Sequence, residues 1–167
     1  MHDTIHGIHS TERGNPIRAG KMQTFLPYPD YHKALSCLDA DRLGNQVYRE
    51  CLTLLNGGWK HHPASIMWRQ YMYSLCDYAI AGLEILTDRG LHYPHHYTTI
   101  QNLQVSFRNR GKPYWIGDER LHSSHRAALL GKDTEYYSRF GWTETPTQSP
   151  HPYYWPPEGI RVRKPRI

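Results

Sequence analysis

Cysteine is scarce: Cys37, Cys51 and Cys76 are the only three, and none share a CxxC spacing, so neither a disulfide framework nor a thiolate zinc site is encoded. Long apolar runs are missing too. Nothing approaches the roughly 18 residues of a membrane span, and the first twenty residues are too polar for a secretory signal, so the reading is of a protein without membrane contact in the cytoplasm, a bacterial host's if the source is a phage. The body of the chain also lacks net charge. Residues 22–159 carry 13 Lys/Arg against 13 Asp/Glu, and the formal +5 comes mostly from the last eight residues, where Arg161, Arg163, Lys164 and Arg166 lie. A pI near 9.1 therefore says little about nucleic acid, and only the placement of individual cations can. No internal repeat and no strand-like pair of alternating segments is visible.

What is abundant is large aromatic side chain, with 13 Tyr and 5 Trp in 167 residues, far more than an unfolded chain carries. This length suits one domain that buries roughly two-thirds of its unfolded surface. Residues 1–21 show no apolar period and read as a disordered leader or a misassigned start; 160–167 read as a flexible basic tail. Between them the pattern is that of a single compact all-α monomer. Pro27 and Pro29 require an extended entry into a first helix near Asp30. Asp39 or Asp41 caps a helix that runs to Asn56 and stops at Gly57-Gly58. Pro63 begins a long central helix ending at Arg89-Gly90, with Trp68, Tyr71, Leu75, Ala79, Leu83 and Leu86 at helical spacing. Shorter helices are expected around 99–108, from Asp118 to Gly131, and from Asp133 to Gly141, followed by an irregular aromatic-rich segment.

The helix over 39–56 sorts sharply on a wheel of 100° per residue. Leu43, Val47, Tyr48, Cys51, Leu52, Leu54 and Leu55 share one face. Gln46, Thr53, Arg42 and Arg49 form a polar, cationic stripe, and Glu50 falls on the border between the two. A boundary glutamate pairing with an arginine accounts for this pattern. So does a carboxylate tuned by partial burial beside cations for acid/base or electrostatic work.

Five blocks in order, MQTFLPYPD (22–30), RLGNQVYRE (42–50), GWKHHPASIMW (58–68), SHRAALLGKD (124–133) and PYYWP (152–156), resemble the pyrimidine-dimer DNA glycosylase family, the phage endonuclease V group, in a phage and bacterial branch. The resemblance spans residues 22 to about 156. It implies a metal-free and cofactor-free glycosylase and abasic-site lyase acting on double-stranded DNA with damaged pyrimidines. In that family an N-terminal amine attacks the sugar C1′ and forms a Schiff base, while a glutamate assists. By the Tyr-Arg-Glu match, Glu50 takes the place of that glutamate and Arg49 that of a phosphate-contacting arginine. The reactive amine maps to Met22, where the matching block begins, or to Lys21 as the nearest amine if the chain starts at Met1.

Other residues are candidate DNA contacts. Arg42, Gln46 and Arg49 share the polar stripe; His62 sits in the loop before the central helix; His122, His125 and Arg126 fall at i, i+3 and i+4 on one face, where three donors can meet a phosphate together, and Lys132 follows them. The bland alternatives are a locally bonded helix start for His62 and a solvated face for the other set. Metal binding by His92, His95, His96 or the 122/125 pair lacks a companion carboxylate cluster. Trp68 reads as core, whereas Trp59, Tyr136, Tyr137, Trp142, Tyr153, Tyr154 and Trp155 are candidates for stacking on bases, with core capping by PYYWP as the competing reading. Two other functions stay open: a non-catalytic DNA-binding module, and an enzyme acting on a different, hypermodified pyrimidine.

Overall fold

The computed structural model describes residues 23–157 and, among them, is built of helices without a strand. Readings that concern Lys21, Met22, the leader and the basic tail lie outside the described residues. The helices are α1 (Tyr31–Ser36), α2 (Ala40–Asn45), a π-helical turn (Gln46–Cys51), α3 (Leu52–Leu55), α4 (Pro63–Trp68), α5 (Met72–Asp88), α6 (Pro94–Gln104), α7 (Glu119–Lys132) and α8 (Thr134–Tyr137), the last continued by a 3₁₀ turn at Ser138–Phe140. None is long and apolar enough to cross a membrane.

Local chemistry sets the boundaries. The Asp30 carboxylate accepts from Lys33 N at 2.7 Å to start α1, and Asp118 accepts from Arg120 N at 3.1 Å to start α7. Gly57 at φ 78° ends the first helical run and Gly141 at φ 69° ends the last, both in the left-handed region that glycine enters without strain. Asp39 occupies the cap position of α2 but makes no cap bond; its carboxylate is taken by Arg42 at 3.1 Å and by the Tyr137 hydroxyl. The helix expected near 99–108 is displaced to Pro94–Gln104, with Pro94 in its first turn.

Two expected helices are interrupted. The run from Pro63 to Arg89 breaks at Tyr71, whose φ of −127° and ψ of 37° leave the helical region. No proline or glycine causes this. Tertiary contacts hold the end of α4: Trp68 is fully buried, donates from Nε1 to Thr24 Oγ1 at 2.8 Å and meets Trp115 edge to face at 4.9 Å. The helix over 39–56 changes to π geometry between Gln46 and Cys51, and Gln46, expected in the polar stripe, lies in the core at 3% exposure. α5 is the spine of the core and packs against α1, the π turn and α6. Its Gly82 faces the π turn closely, since a Cβ there would lie 2.5 Å from Val47 Cγ2.

Candidate active site

The most unusual feature of the core is its first four described residues. Gln23, Thr24, Phe25 and Leu26 are extended and all at most 5% exposed, yet they belong to no sheet, so their backbone polar groups need other partners. Side chains supply them. Phe25 N donates to Gln46 Oε1 at 3.0 Å, and Phe25 O accepts from the Tyr78 hydroxyl at 2.8 Å. Leu26 N donates to His125 Nδ1 at 2.8 Å, and Leu26 O pairs with His122 Nδ1 at 2.8 Å. The segment is thus threaded among the π turn, α4, α5 and α7 and fixed by each of them.

These bonds assign the imidazoles. His122 Nε2 accepts from Gly117 N at 3.0 Å, so its Nδ1 carries the proton and donates to Leu26 O. His125 accepts at Nδ1, which leaves the proton on Nε2 of a neutral ring. Burial, reinforced by His122 and Arg126, holds its pKa down to about 3. The unfolded value near 6.5 lies above this, so the unfolded chain takes up the proton first and stability falls as pH drops from about 6.5 toward 3. Between pH 7 and pH 5 the loss attributable to His125 is about 2 kcal/mol. Urea denaturation at the two pH values measures it, and in His125→Gln the pH-dependent part should shrink by that amount.

Glu50 lies on the π turn, half-buried between exposed Arg49 and buried Cys51. Burial pushes the Cys51 thiol and the Tyr78 phenol well up, and the Glu50 charge adds to both, so the carboxylate acts on the same Tyr78 hydroxyl that holds Phe25 O. Arg42 remains partly exposed one turn before the π turn. Lys132, the last residue of α7, brings its Nζ to 5.9 Å from the Phe25 ring. Lys132 therefore lies beside the threaded segment and Glu50 acts on the tyrosine that holds it, and among the described residues no cluster of three or more metal-ligating side chains is assembled.

Residues 22–101 match the family model described as pyrimidine dimer DNA glycosylase. Residues 22–101 therefore carry the domain of the pyrimidine dimer DNA glycosylase family. No curated protein and no solved structure gives a significant match. The family domain begins one residue before the threaded segment and takes in the π turn, α4 and α5, whereas α7 and the C-terminal aromatic segment lie beyond it.

In this fold several expected DNA contacts fall inside the protein. His122 and His125 are both at 0% exposure and each bonds Leu26 through Nδ1, so neither ring reaches a phosphate at the surface. Arg126 shares their helix face, but its guanidinium bonds Pro27 O at 2.8 Å, Glu144 at 3.0 Å and Glu119, two carboxylates that neutralise it. The i, i+3, i+4 face seen in the sequence is real; it faces the threaded segment instead of solvent. His62 caps α4 by accepting from Ala64 N at 2.9 Å, is 4% exposed between the edges of Trp59 and Trp155, and is held down to about 4 by burial. Its local bond is the bland reading of that histidine. Gln46 is likewise inside, holding Phe25. Among the aromatic candidates, Tyr137 at 0% and Tyr153 at 9% are core, while Trp142 stacks on Tyr137 and Phe140. Trp68 is core, as its spacing indicates.

The sequence reading passed over Gln23, Thr24 and Tyr78. Three polar groups in or beside an otherwise apolar stretch were the available signal: Thr24 and Gln23 next to Phe25-Leu26, and a tyrosine on the apolar face of α5.

Proposed function

We propose that the chain excises damaged pyrimidines from double-stranded DNA and then cleaves the abasic strand, with a primary amine at or beside Met22 as nucleophile and Glu50 as its anionic partner. The observation that supports this reading most is the threaded segment. A nucleophile on a chain end is useless unless the end is held, and five side-chain bonds from four helical elements fix Thr24, Phe25 and Leu26 beside the π turn that bears Glu50. In the reaction the neutral amine forms a bond to C1′ as the C1′–N1 bond breaks, and the pyrimidine leaves with the electron pair. The attacking nitrogen passes one proton to the departing pyrimidine, and transfer of its second to O4′ as the sugar ring opens gives the imine. Glu50 stabilises the cationic sugar and takes the C2′ proton in the elimination that breaks the 3′ C–O bond. Reaching C1′ requires the nucleotide to leave the stack, which is least costly at a distorted lesion.

Borohydride trapping on ultraviolet-irradiated and abasic duplexes tests this, comparing the full chain with one beginning at Met22. A covalent adduct mapped by peptide mass to Met22 or Lys21 is the expected result. No adduct from either chain, with DNA binding intact, would reduce the protein to a DNA-binding module or point to another modified base as the target.

Arg49, exposed and adjacent to Glu50, is the phosphate contact in this reading. In Arg49→Ala, DNA affinity should drop and the slope of log K against log salt should flatten by about one phosphate. A slope equal to that of the parent chain would assign Arg49 to the structure alone.

A further inference from the structure

Three basic groups from separate parts of the chain come within range of one another's charge near Phe25. Arg42 comes from α2, Lys132 from the end of α7 and His151 from the C-terminal segment. The Tyr153 ring lies among them, 6.4 Å from Phe25, 5.8 Å from His125 and 5.7 Å from His151, while Lys132 Nζ approaches Phe25 from 5.9 Å.

Two features of this cluster suit an anionic ligand. Lys132 is exposed and forms no ion pair among the described residues, and its pKa is lowered by partial burial and the Arg42 charge; His151 is lowered by burial, Lys132 and Arg42. Among the described residues Asp39 is the carboxylate paired with Arg42, and it also receives the Tyr137 hydroxyl. The second feature is a polar cost. Tyr153 is 9% exposed, its hydroxyl has no hydrogen-bond partner among the described residues, and it sits in the field of Arg42, which opposes the upward push of burial on the phenol. A buried hydroxyl left unpaired is rare in native proteins. One ligand answers both features: an anion with several acceptor oxygens, which lies between the cations and accepts from the phenol.

We propose that Arg42, Lys132 and the Tyr153 hydroxyl form a seat for a single phosphodiester of the substrate strand, with His151 at its edge. The choice of a DNA phosphate rests on the glycosylase reading above. Phe25, the floor of the seat, is three residues from Met22, at most about 10 Å of extended chain, so a strand held here presents a neighbouring nucleotide to the candidate nucleophile. A backbone phosphate carries no sequence information; the seat sets register, which is what a lesion-reading enzyme needs.

The test has two arms on the full-length protein. In the first, inorganic phosphate is titrated while the Tyr153 and His151 ring resonances are followed by NMR. Both should move together and saturate, and in Tyr153→Phe, which keeps the ring, phosphate affinity should fall by about two- to tenfold, the loss of one hydrogen bond. In the second, binding of an undamaged duplex is measured against salt; Lys132→Gln should flatten the log–log slope by about one, and Tyr153→Phe should leave the slope alone while weakening binding. Unmoved resonances together with a full parental slope in Lys132→Gln would overturn the seat even in a protein that excises pyrimidines. Saturable phosphate binding by a chain that neither binds nor cleaves DNA would instead sink the glycosylase reading and leave the anion site in place.

Discussion

Glu50→Gln should lose strand cleavage on ultraviolet-irradiated duplex by about 10²- to 10⁴-fold, the usual contribution of a positioned acid/base group, while DNA affinity changes little. The substitution preserves length and helix propensity, so the π turn from Gln46 to Cys51 should persist, and only the charge is removed. The sugar then develops positive charge without a facing anion, and the C2′ proton has no acceptor. Single-turnover kinetics with excess enzyme and a binding titration on the same duplex separate the two effects. Trapping on a pre-formed abasic site adds a second distinction: imine formation there requires no base departure, so residual adduct with lost cleavage would place Glu50 in elimination. Wild-type rates on both substrates would remove Glu50 from the chemistry altogether. The variant should also lower the pKa of Cys51 and Tyr78 slightly, because the Glu50 charge now adds to their upward shift.

Much of the fold was legible because caps, glycines and apolar spacing are local. Asp30, Asp118, Gly57 and Gly141 act where their chemistry says they should, and Leu43, Val47, Cys51, Leu54 and Leu55 are buried as the wheel sorts them. What was not legible depends on partners far along the chain. A wheel of one helix does not show what docks against it, so Gln46 is placed in the polar stripe, whereas it is buried against Phe25, 21 positions earlier. His122 and His125 sit correctly on one helix face, but whether that face meets water or Leu26, roughly a hundred residues away, is decided by tertiary docking alone. Arg126 was misread for the same reason: the Glu144 that neutralises it lies in a later segment with no periodic pattern. Glu50 was legible because its placement, at the border of an apolar face, needs only the helix that carries it.

The C-terminal segment beyond the family-matched residues supplies Tyr153 and Glu144 to the structure around the threaded entry, and the way it docks rests on one glycine. Thr147 N donates to Ala127 O at 3.1 Å on α7, and four residues later along that helix the backbone of Thr147 passes directly over Gly131. A Cβ built at Gly131 would lie 1.6 Å from Thr147 O and 2.7 Å from its carbonyl carbon. Neither atom belongs to a flexible side chain, so the contact cannot be relieved by a rotamer change; the whole segment must lift. Gly131→Ala should therefore destabilise the protein by about 3 kcal/mol or more, against the gain of up to about 1 kcal/mol that alanine normally brings to a helix interior. The sign of the change is the decisive observation in a urea titration. Lifting 147 also loosens His151 and Tyr153, so the variant at low temperature, where enough remains folded, should lose phosphate binding at Arg42 and Lys132 before it loses helical circular dichroism. If Gly131→Ala were as stable as the parent, or more so, the docking of the C-terminal segment on α7 would be wrong, and with it the place of Tyr153 beside Phe25.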